Sequence, residues 1–266
     1  MTPTILVFDS GLGGLTVHRE VTKARPDARY IYAADDAFFP YGKQDEGKLV
    51  ARVLAVMEQL VATYRPDLVV VACNTASTLV LQQLRERFKV PFVGTVPAIK
   101  PACAASKTRL VSVLGTEATV QREYTRALIR DFADGCTIHL VGSPRLAEFA
   151  EAELRGQPLA DADIAGEIAP CFIEQDGART DTIALACTHY PLLLDRMRRV
   201  APWPVAFIDP APAIARRVVD LLGPPVGGPP AAAATRLIFT SGREPSPSLK
   251  AALRGLGIAE SAAAGV

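Results

Sequence analysis

Short apolar runs closed by turns alternate along this chain with stretches of helical spacing, and that alternation restricts the fold more than any other feature. The first run is Thr4–Phe8 (TILVF), ended by Asp9-Ser10-Gly11-Leu12-Gly13-Gly14. Continuous apolar runs of this length suit strands buried on both faces of a parallel sheet. A helix is expected over Leu15–Lys23, a strand over Arg29–Ala33, and a helix within 44–64, where Leu49, Val53, Val56, Met57, Leu60 and Val61 share a face. Leu68–Ala72 is a further buried strand and Ala76–Phe88 a helix. Strand–helix alternation with short connections predicts an α/β fold with right-handed crossovers.

The alternation then restarts. Arg109–Leu114 and Thr137–Val141 read as strands, with a helix over Val120–Phe132 between them. Helices are expected over Ala147–Arg155 and Ala160–Glu174, a strand over Thr182–Ala186, and a helix over Leu192–Arg199. The last part offers a strand at Val205–Ile208, a helix near Ala211–Leu222 and a strand at Leu237–Thr240. The Pro/Gly/Ala stretch from Gly223 to Ala234 reads as a surface loop, and the tail after Gly257 as frayed.

An internal echo links the two parts. VVVACNTAST (Val69–Thr78) and IALACTHYPL (Ile183–Leu192) share a buried strand, Ala, Cys, two polar residues and a helix. Each is preceded by a strand ending in a hydroxyl-bearing turn, Asp9-Ser10 in one part and Gly115-Thr116 in the other. Two related halves facing each other would explain the pattern, although short echoes also arise by chance in α/β chains.

Ligands of open α/β sheets bind beyond the carboxyl ends of the strands. The polar residues at those ends are Asp9, Ser10, Cys73, Asn74, Thr75, Thr116, Thr119, Cys187, Thr188 and His189. A cytosolic cysteine is ordinarily a small buried hydrophobe. Cys73 and Cys187 differ in ending a strand just before a polar pair that can open a helix, whose free N–H groups favour a thiolate. Cys103, Cys136 and Cys171 lack that setting and read as core, and His18 and His139, within predicted elements, read as structural.

Three chemistries use two thiols across one cleft. Disulfide redox would ordinarily show a CxxC pair, which is missing. A metal site of two Cys and His189 lacks ligand spacing, so none is expected. Paired acid/base work remains: a thiolate takes a proton from one face of a carbon while a thiol delivers one to the other. Asp9 and His189 would then hold or return the thiol protons, or serve respectively as a turn residue and a satisfied buried imidazole. The DSGLGG loop satisfies neither GxxxxGK[ST] nor GxGxxG, so its glycines are expected to let backbone N–H groups approach a carboxylate. Pro40-Tyr41-Gly42 offers a phenol and exposed backbone, or a plain turn.

Composition narrows the partners. Formal charge is +1 from 29 basic and 28 acidic residues, so no global field draws nucleic acid. No apolar run reaches the roughly 18–20 residues of a membrane span. The first residues lack the basic start and cleavage site of a signal peptide, and the five cysteines are odd in number; a cytoplasmic protein with reduced thiols is expected.

FDSGLGGLTV, PYG, ACNTAS and ACTHYPLL, in this order, resemble the glutamate racemases of the aspartate/glutamate racemase superfamily. LGTEATV, FIDPA and FTSG add secondary matches, so the likeness covers nearly the whole chain. The resemblance implies two similar α/β domains, pseudo-twofold related, with the site between them: 1–97 plus 207–266 on the Asp9 and Cys73 side, and 98–206 on the Cys187 side. It implies reversible interconversion of L- and D-glutamate without a cofactor, supplying D-glutamate for peptidoglycan. Cys73 would act on D-glutamate with Asp9 assisting, and Cys187 on L-glutamate with His189 assisting. Ser10, Tyr41, Gly42, Asn74, Thr75, Thr116, Thr119 and Thr188 would bind the amino acid, and Glu151 would stand near the site. A homodimer is also implied.

The chain departs from the family in places. Ala34-Asp35-Asp36-Ala37-Phe38-Phe39 replaces a GDT-like sequence before PYG, which predicts a more apolar wall beside Tyr41. A GTxGT-like turn is here Gly115-Thr116-Glu117-Ala118-Thr119, Ser143-Pro144 replaces CP, and Glu148 stands where an apolar residue or Pro is frequent. None touches the paired thiols, so substrate preference is the most exposed expectation. Aspartate racemisation is the alternative within the superfamily. A cysteine amidohydrolase with His189 as base and a non-catalytic amino-acid-binding protein are the alternatives outside it.

Overall fold

The computed structural model describes residues 2–133, 135–225, 235–256 and 258. The chain opens with β1 (Thr4–Asp9), α1 (Leu15–Ala24) and β2 (Arg29–Ala34), then α2 (Glu46–Tyr64), β3 (Leu68–Val71), α3 (Asn74–Arg87) and β4 (Phe92–Gly94). It continues with α4 (Ile99–Ala105), β5 (Leu110–Gly115), α5 (Glu117–Gln121), α6 (Glu123–Phe132), β6 (Thr137–Gly142), α7 (Leu146–Leu154) and α8 (Asp161–Ile168). A small hairpin, β7 (Glu174–Gln175) and β8 (Ala178–Arg179), leads to β9 (Thr182–Ala186), α9 (Leu194–Val200) and β10 (Ala206–Ile208). The described chain closes with α10 (Ala211–Leu222), β11 (Arg236–Phe239) and α11 (Pro247–Gly255).

Two parallel sheets result. The first runs β11-β2-β1-β3-β4 and the second β10-β9-β5-β6. Read from β2 and from β6, the orders β2-β1-β3-β4 and β6-β5-β9-β10 correspond strand for strand, with β11 added outside β2. The echo in the sequence thus has a topological counterpart: each Ala-Cys strand lies beside the strand with the hydroxyl-bearing end.

Alternation along each strand sorts its side chains between two cores. Ile5 and Val7 of β1 face a core closed by α1, α10 and α11, whereas Leu6 and Phe8 face one closed by α2 and α3. The second sheet is covered likewise, by α7, α8 and α9 on one face and by α4 and α6 on the other. Burial on both faces explains why these strands read as unbroken apolar runs.

The chain crosses between the sheets twice, after β4 and after β10. Ala206–Ile208 pairs with β9, so the cut expected at residue 207 passes through a strand of the second sheet.

Several elements differ from the sequence reading. The helix expected over Val120–Phe132 is broken at Arg122, whose backbone is extended (φ −67°, ψ 139°) and whose guanidinium pairs with Glu46. The Thr125 hydroxyl donates to the Thr119 carbonyl at 2.6 Å, satisfying the acceptor there. The helix expected to reach Glu174 ends at Ile168, where Pro170 has no N–H to continue the ladder and a 3-10 turn (Ala169–Cys171) follows. The chain then turns through Asp176-Gly177, both at positive φ (52° and 77°), as a tight hairpin requires. β4, α4 and α11 had no prediction; α11 begins at Ser246-Pro247, where the serine hydroxyl accepts the Leu249 N–H. Cys103 and Cys171 are buried, but Cys136 is only half-buried at the edge of its cluster. Residues 226–234 of the expected loop and 259–266 of the expected frayed tail lie outside the described residues.

His18 is sealed in the first core, 5.2 Å edge-to-face from Tyr30, with Nε2 3.0 Å from the Thr235 hydroxyl. Burial lowers its pKa from 6.5 to about 4. Between those values the unfolded chain binds a proton that the folded protein refuses, so stability falls as pH drops through this window, by up to roughly 3 kcal/mol. The expected result is a smaller loss of stability in His18→Leu than in the wild type between pH 7 and pH 4.5. Urea unfolding at the two pH values measures it, and parallel losses would refute the assignment.

Candidate active site

The carboxyl ends of both sheets converge on one small cavity of about 20 Å³. Its wall contains Ser10, Tyr41, Gly42, Cys73, Asn74 and Thr75 from the first sheet's side, and Thr116, Cys187, Thr188 and His189 from the second. Ten of the thirteen residues expected from the sequence therefore meet there. Asp9, Thr119 and Glu151 stand directly behind them.

The Asp9–Gly14 loop links the two sheets through its backbone. Asp9, fully buried at the end of β1, accepts the Gly14 N–H at 2.8 Å with Oδ2, at the start of α1. The Leu12 N–H donates to Glu151 Oε1 at 2.6 Å. The loop's amides thus do meet carboxylates, but these are the protein's own. The glycines are required by proximity: a Cβ on Gly13 would stand 2.4 Å from His189 Nδ1, and one on Gly14 2.9 Å from the Asp9 Cβ.

On the first side, Cys73 caps α3, and its Sγ lies 3.8 Å from the Ser10 hydroxyl. Burial pushes this thiol's pKa up, and the Asp9 carboxylate adds to the effect, while the Ala76 N–H at the helix start opposes it. The thiol is therefore protonated at neutral pH. Asn74 beside it is buried, and neither amide atom has a hydrogen-bond partner. Buried polar groups are ordinarily satisfied, so an unpartnered amide in a cavity wall is fitted to a polar guest. The hydroxyls of Thr75, Thr116 and Thr119 form a mutual cluster at 2.9–3.2 Å that joins the two sides.

On the second side, Cys187 Sγ lies 3.9 Å from His189 Nδ1, and His189 Nε2 lies 3.1 Å from Glu151 Oε1. Burial disfavours the imidazolium, but hydrogen bonds to Cys187 and Glu151 outweigh it and hold the His189 pKa well above its usual value. Burial also opposes ionisation of Glu151, yet His189, the Leu12 N–H and Arg155 bring its pKa below the usual range. The pair is charged, with Nε2–H donating to the carboxylate. The Gly13 N–H approaches the same nitrogen at 3.2 Å, a contact that becomes a hydrogen bond only when Nε2 is unprotonated.

Asp35 and Phe39 went unnoticed among the candidates. Asp35 is fully buried and accepts hydrogen bonds from the Tyr41 phenol (2.7 Å), the Arg52 guanidinium (2.6 Å) and the Thr240 hydroxyl (2.5 Å). It anchors the Tyr41 ring in the wall and pushes that phenol's pKa well up, after burial. A signal existed: Asp35 follows β2 directly and β2 pairs with β1, so it occupies a strand end like Asp9. Phe39, in the same segment, packs against the His189 ring. Together with Phe38, which packs near Tyr41, it supplies the apolar wall expected there.

The Asp/Glu/hydantoin racemase family model matches residues 16–218. The chain belongs to that family. It is 52% identical over 255 residues to a glutamate racemase of Brucella anthropi, covering 96% of this chain and 92% of that one. Among solved structures, it is similar to an Escherichia coli glutamate racemase in complex with L-glutamate and the activator UDP-MurNAc-Ala: 40% identity, TM-score 0.87, 97% of this chain and 96% of that one. It is also similar to glutamate racemase isoform RacE1 of Bacillus anthracis, at 26% identity and TM-score 0.81, covering 99% and 97% of the two chains. No described helix is long and apolar enough to cross a membrane, and no group of three or more His, Cys, Asp or Glu among the described residues could hold a metal ion.

Gly13→Ala is expected to dislodge His189 and lower turnover by at least about tenfold, since small misplacements of a reacting group are costly. Gly166→Ala, where a Cβ meets nothing within 4 Å, is the control. Steady-state kinetics of both variants check this, and an unimpaired Gly13→Ala enzyme would contradict the geometry.

Proposed function

We propose that this protein interconverts L- and D-glutamate without a cofactor, using Cys73 and Cys187 as a paired acid and base. The observation that carries the reading is two thiols, each at the end of a corresponding strand, in the wall of one cavity. Residues 1–97 with the segment beyond Ile208 act as one lobe and residues 98–208 as the other. The activity would supply D-glutamate for peptidoglycan in the cytoplasm.

The arrangement divides the labour. Starting from L-glutamate, Cys187 as thiolate removes the Cα proton while the protonated Cys73 delivers one to the opposite face. Starting from D-glutamate the roles reverse, with Asp9 able to take the Cys73 proton through the substrate's ammonium or directly. The His189 imidazolium, held by Glu151, is placed to exchange a proton with Cys187. The Cα proton is weakly acidic, so the site must offset the cost with oriented donors in a water-poor cavity. The Asn74 amide, the start of α3, the Ser10 and threonine hydroxyls, and the backbone at Gly42 are the groups available to hold the carboxylates and ammonium.

A cavity of about 20 Å³ admits little more than a water. Glutamate therefore enters only when the lobes part, and the two interlobe crossings are the natural hinge. Closure would restore the contacts across the mouth: the threonine cluster, the Lys43–Glu148 ion pair at 2.5 Å and the Glu46–Arg122 pair. Glu148, unusual at its position, thus has a partner on the other lobe.

Incubation with L-glutamate in D2O, without added cofactor, is expected to give loss of optical activity together with deuterium at Cα. Cys73→Ala and Cys187→Ala are each expected to lower racemisation by a factor on the order of 10² to 10⁴. Full racemisation by either variant would refute the paired mechanism. Exchange with aspartate but not glutamate would move the substrate, and hydrolysis through an acyl-cysteine would move the reaction class.

A further inference from the structure

Phe39 has no part in the chemistry described above, yet it sits against the imidazole assigned to proton exchange with Cys187. Its ring is 5.4 Å from the His189 imidazole, centroid to centroid, at an interplanar angle of 44°. Contacts at the ring edge hold that imidazole at Nε2, by Glu151 and the Gly13 N–H, and by a longer Nδ1 contact to Cys187. Such contacts leave a ring free to rock about the axis through them; packing against its face does not.

Phe39 also separates two spaces. On one side it lines the thiol cavity with His189. On the other it lines a cavity of about 240 Å³ that reaches Gly11, Leu12, Glu151 and Arg155. The Glu151 carboxylate is therefore bordered by the larger space, and the imidazole to which it bonds by the smaller. Gly11 cannot contribute shielding: a Cβ there would stand 2.5 Å from Glu151 Oε1, 3.1 Å from the Phe39 ring and 3.2 Å from His189 Nε2. Among the described residues, Phe39 is the one that lines both spaces.

We propose that Phe39 is a positioning residue, which holds the face of His189 so that Nδ1 stays aimed at Cys187 and keeps water in the larger cavity off the His189–Glu151 hydrogen bond. This inference rests on the reading of His189 as the proton partner of Cys187. It also assigns a role to the segment before Pro40, where the chain departs most from the family pattern.

The test uses Phe39→Ala and Phe39→Leu in the full-length protein. Phe39→Ala is expected to lower kcat about tenfold to a hundredfold with both glutamate enantiomers, while KM changes by less than about threefold because the ring holds a proton-transfer group rather than the substrate. Phe39→Leu, which covers the junction without a ring, is expected to recover most of that loss. An activity-independent readout comes from 15N-histidine labelling, since the chain has only three histidines. In the wild type and in Phe39→Leu the His189 Nε2–H signal should exchange slowly with solvent, and in Phe39→Ala it should broaden or vanish. His189→Asn supplies the signal assignment. Wild-type kcat in Phe39→Ala, a loss confined to KM, or an Nε2–H signal that persists unchanged in Phe39→Ala would each overturn the proposal. Should the wild type fail to racemise glutamate, the proposed reaction falls, and the labelled-histidine comparison still decides whether Phe39 shields His189.

Discussion

The approach of the Asp9–Gly14 loop to the second lobe at backbone distance is the constraint on which the site depends. Three separate groups take their positions from it: Asp9 through the Gly14 N–H, Glu151 through the Leu12 N–H, and His189 through its packing on Gly13. A side chain on Gly11 or Gly13 would run into Glu151 or His189 of the second lobe, and one on Gly14 into Asp9 itself. The thiols would then no longer share a cavity of their present size. Backbone donors also spend no rotamer entropy in holding their partners.

Electrostatics divide the two sides of the cavity. Around Cys73, burial and a neighbouring carboxylate both favour the neutral thiol. Around Cys187, the neighbour is an imidazolium stabilised by its own buried carboxylate. Two chemically identical groups in the wall of one cavity thus meet opposite charges. Under the proposed paired mechanism the two thiols are therefore not interchangeable.

Much of the framework was legible because parallel strands buried on both faces leave an unmistakable apolar signature. Thr182–Ala186 and Ala211–Leu222 match the expected bounds, and the repeated Ala-Cys ends pointed to corresponding strands in corresponding sheets. What escaped was set by long-range contacts or by turns too short to show a period. Arg122 leaves the helix where its guanidinium meets Glu46 on the other lobe, a partner 76 positions away in sequence. Asp35 was hidden because its partners Arg52 and Thr240 come from distant parts of the chain. Phe39 reads as loop filler until His189, far along the chain, is placed beside it. The β7–β8 hairpin did carry a local sign in Asp176-Gly177, which the helical pattern before it obscured.

The position of β11 has a consequence for how the molecule is made. This strand completes the first sheet beside β2, and Thr240 just after it reaches Asp35, the anchor of Tyr41. Both follow the entire second lobe in the chain. A nascent polypeptide emerging from the ribosome therefore carries an unfinished first sheet, with β2 as an open edge, until the whole second lobe has been translated. The second lobe has no such dependence, because its four strands lie in one continuous stretch. Vectorial synthesis would let the later half settle first, and the wall holding Tyr41 would be locked only by the last segments to appear.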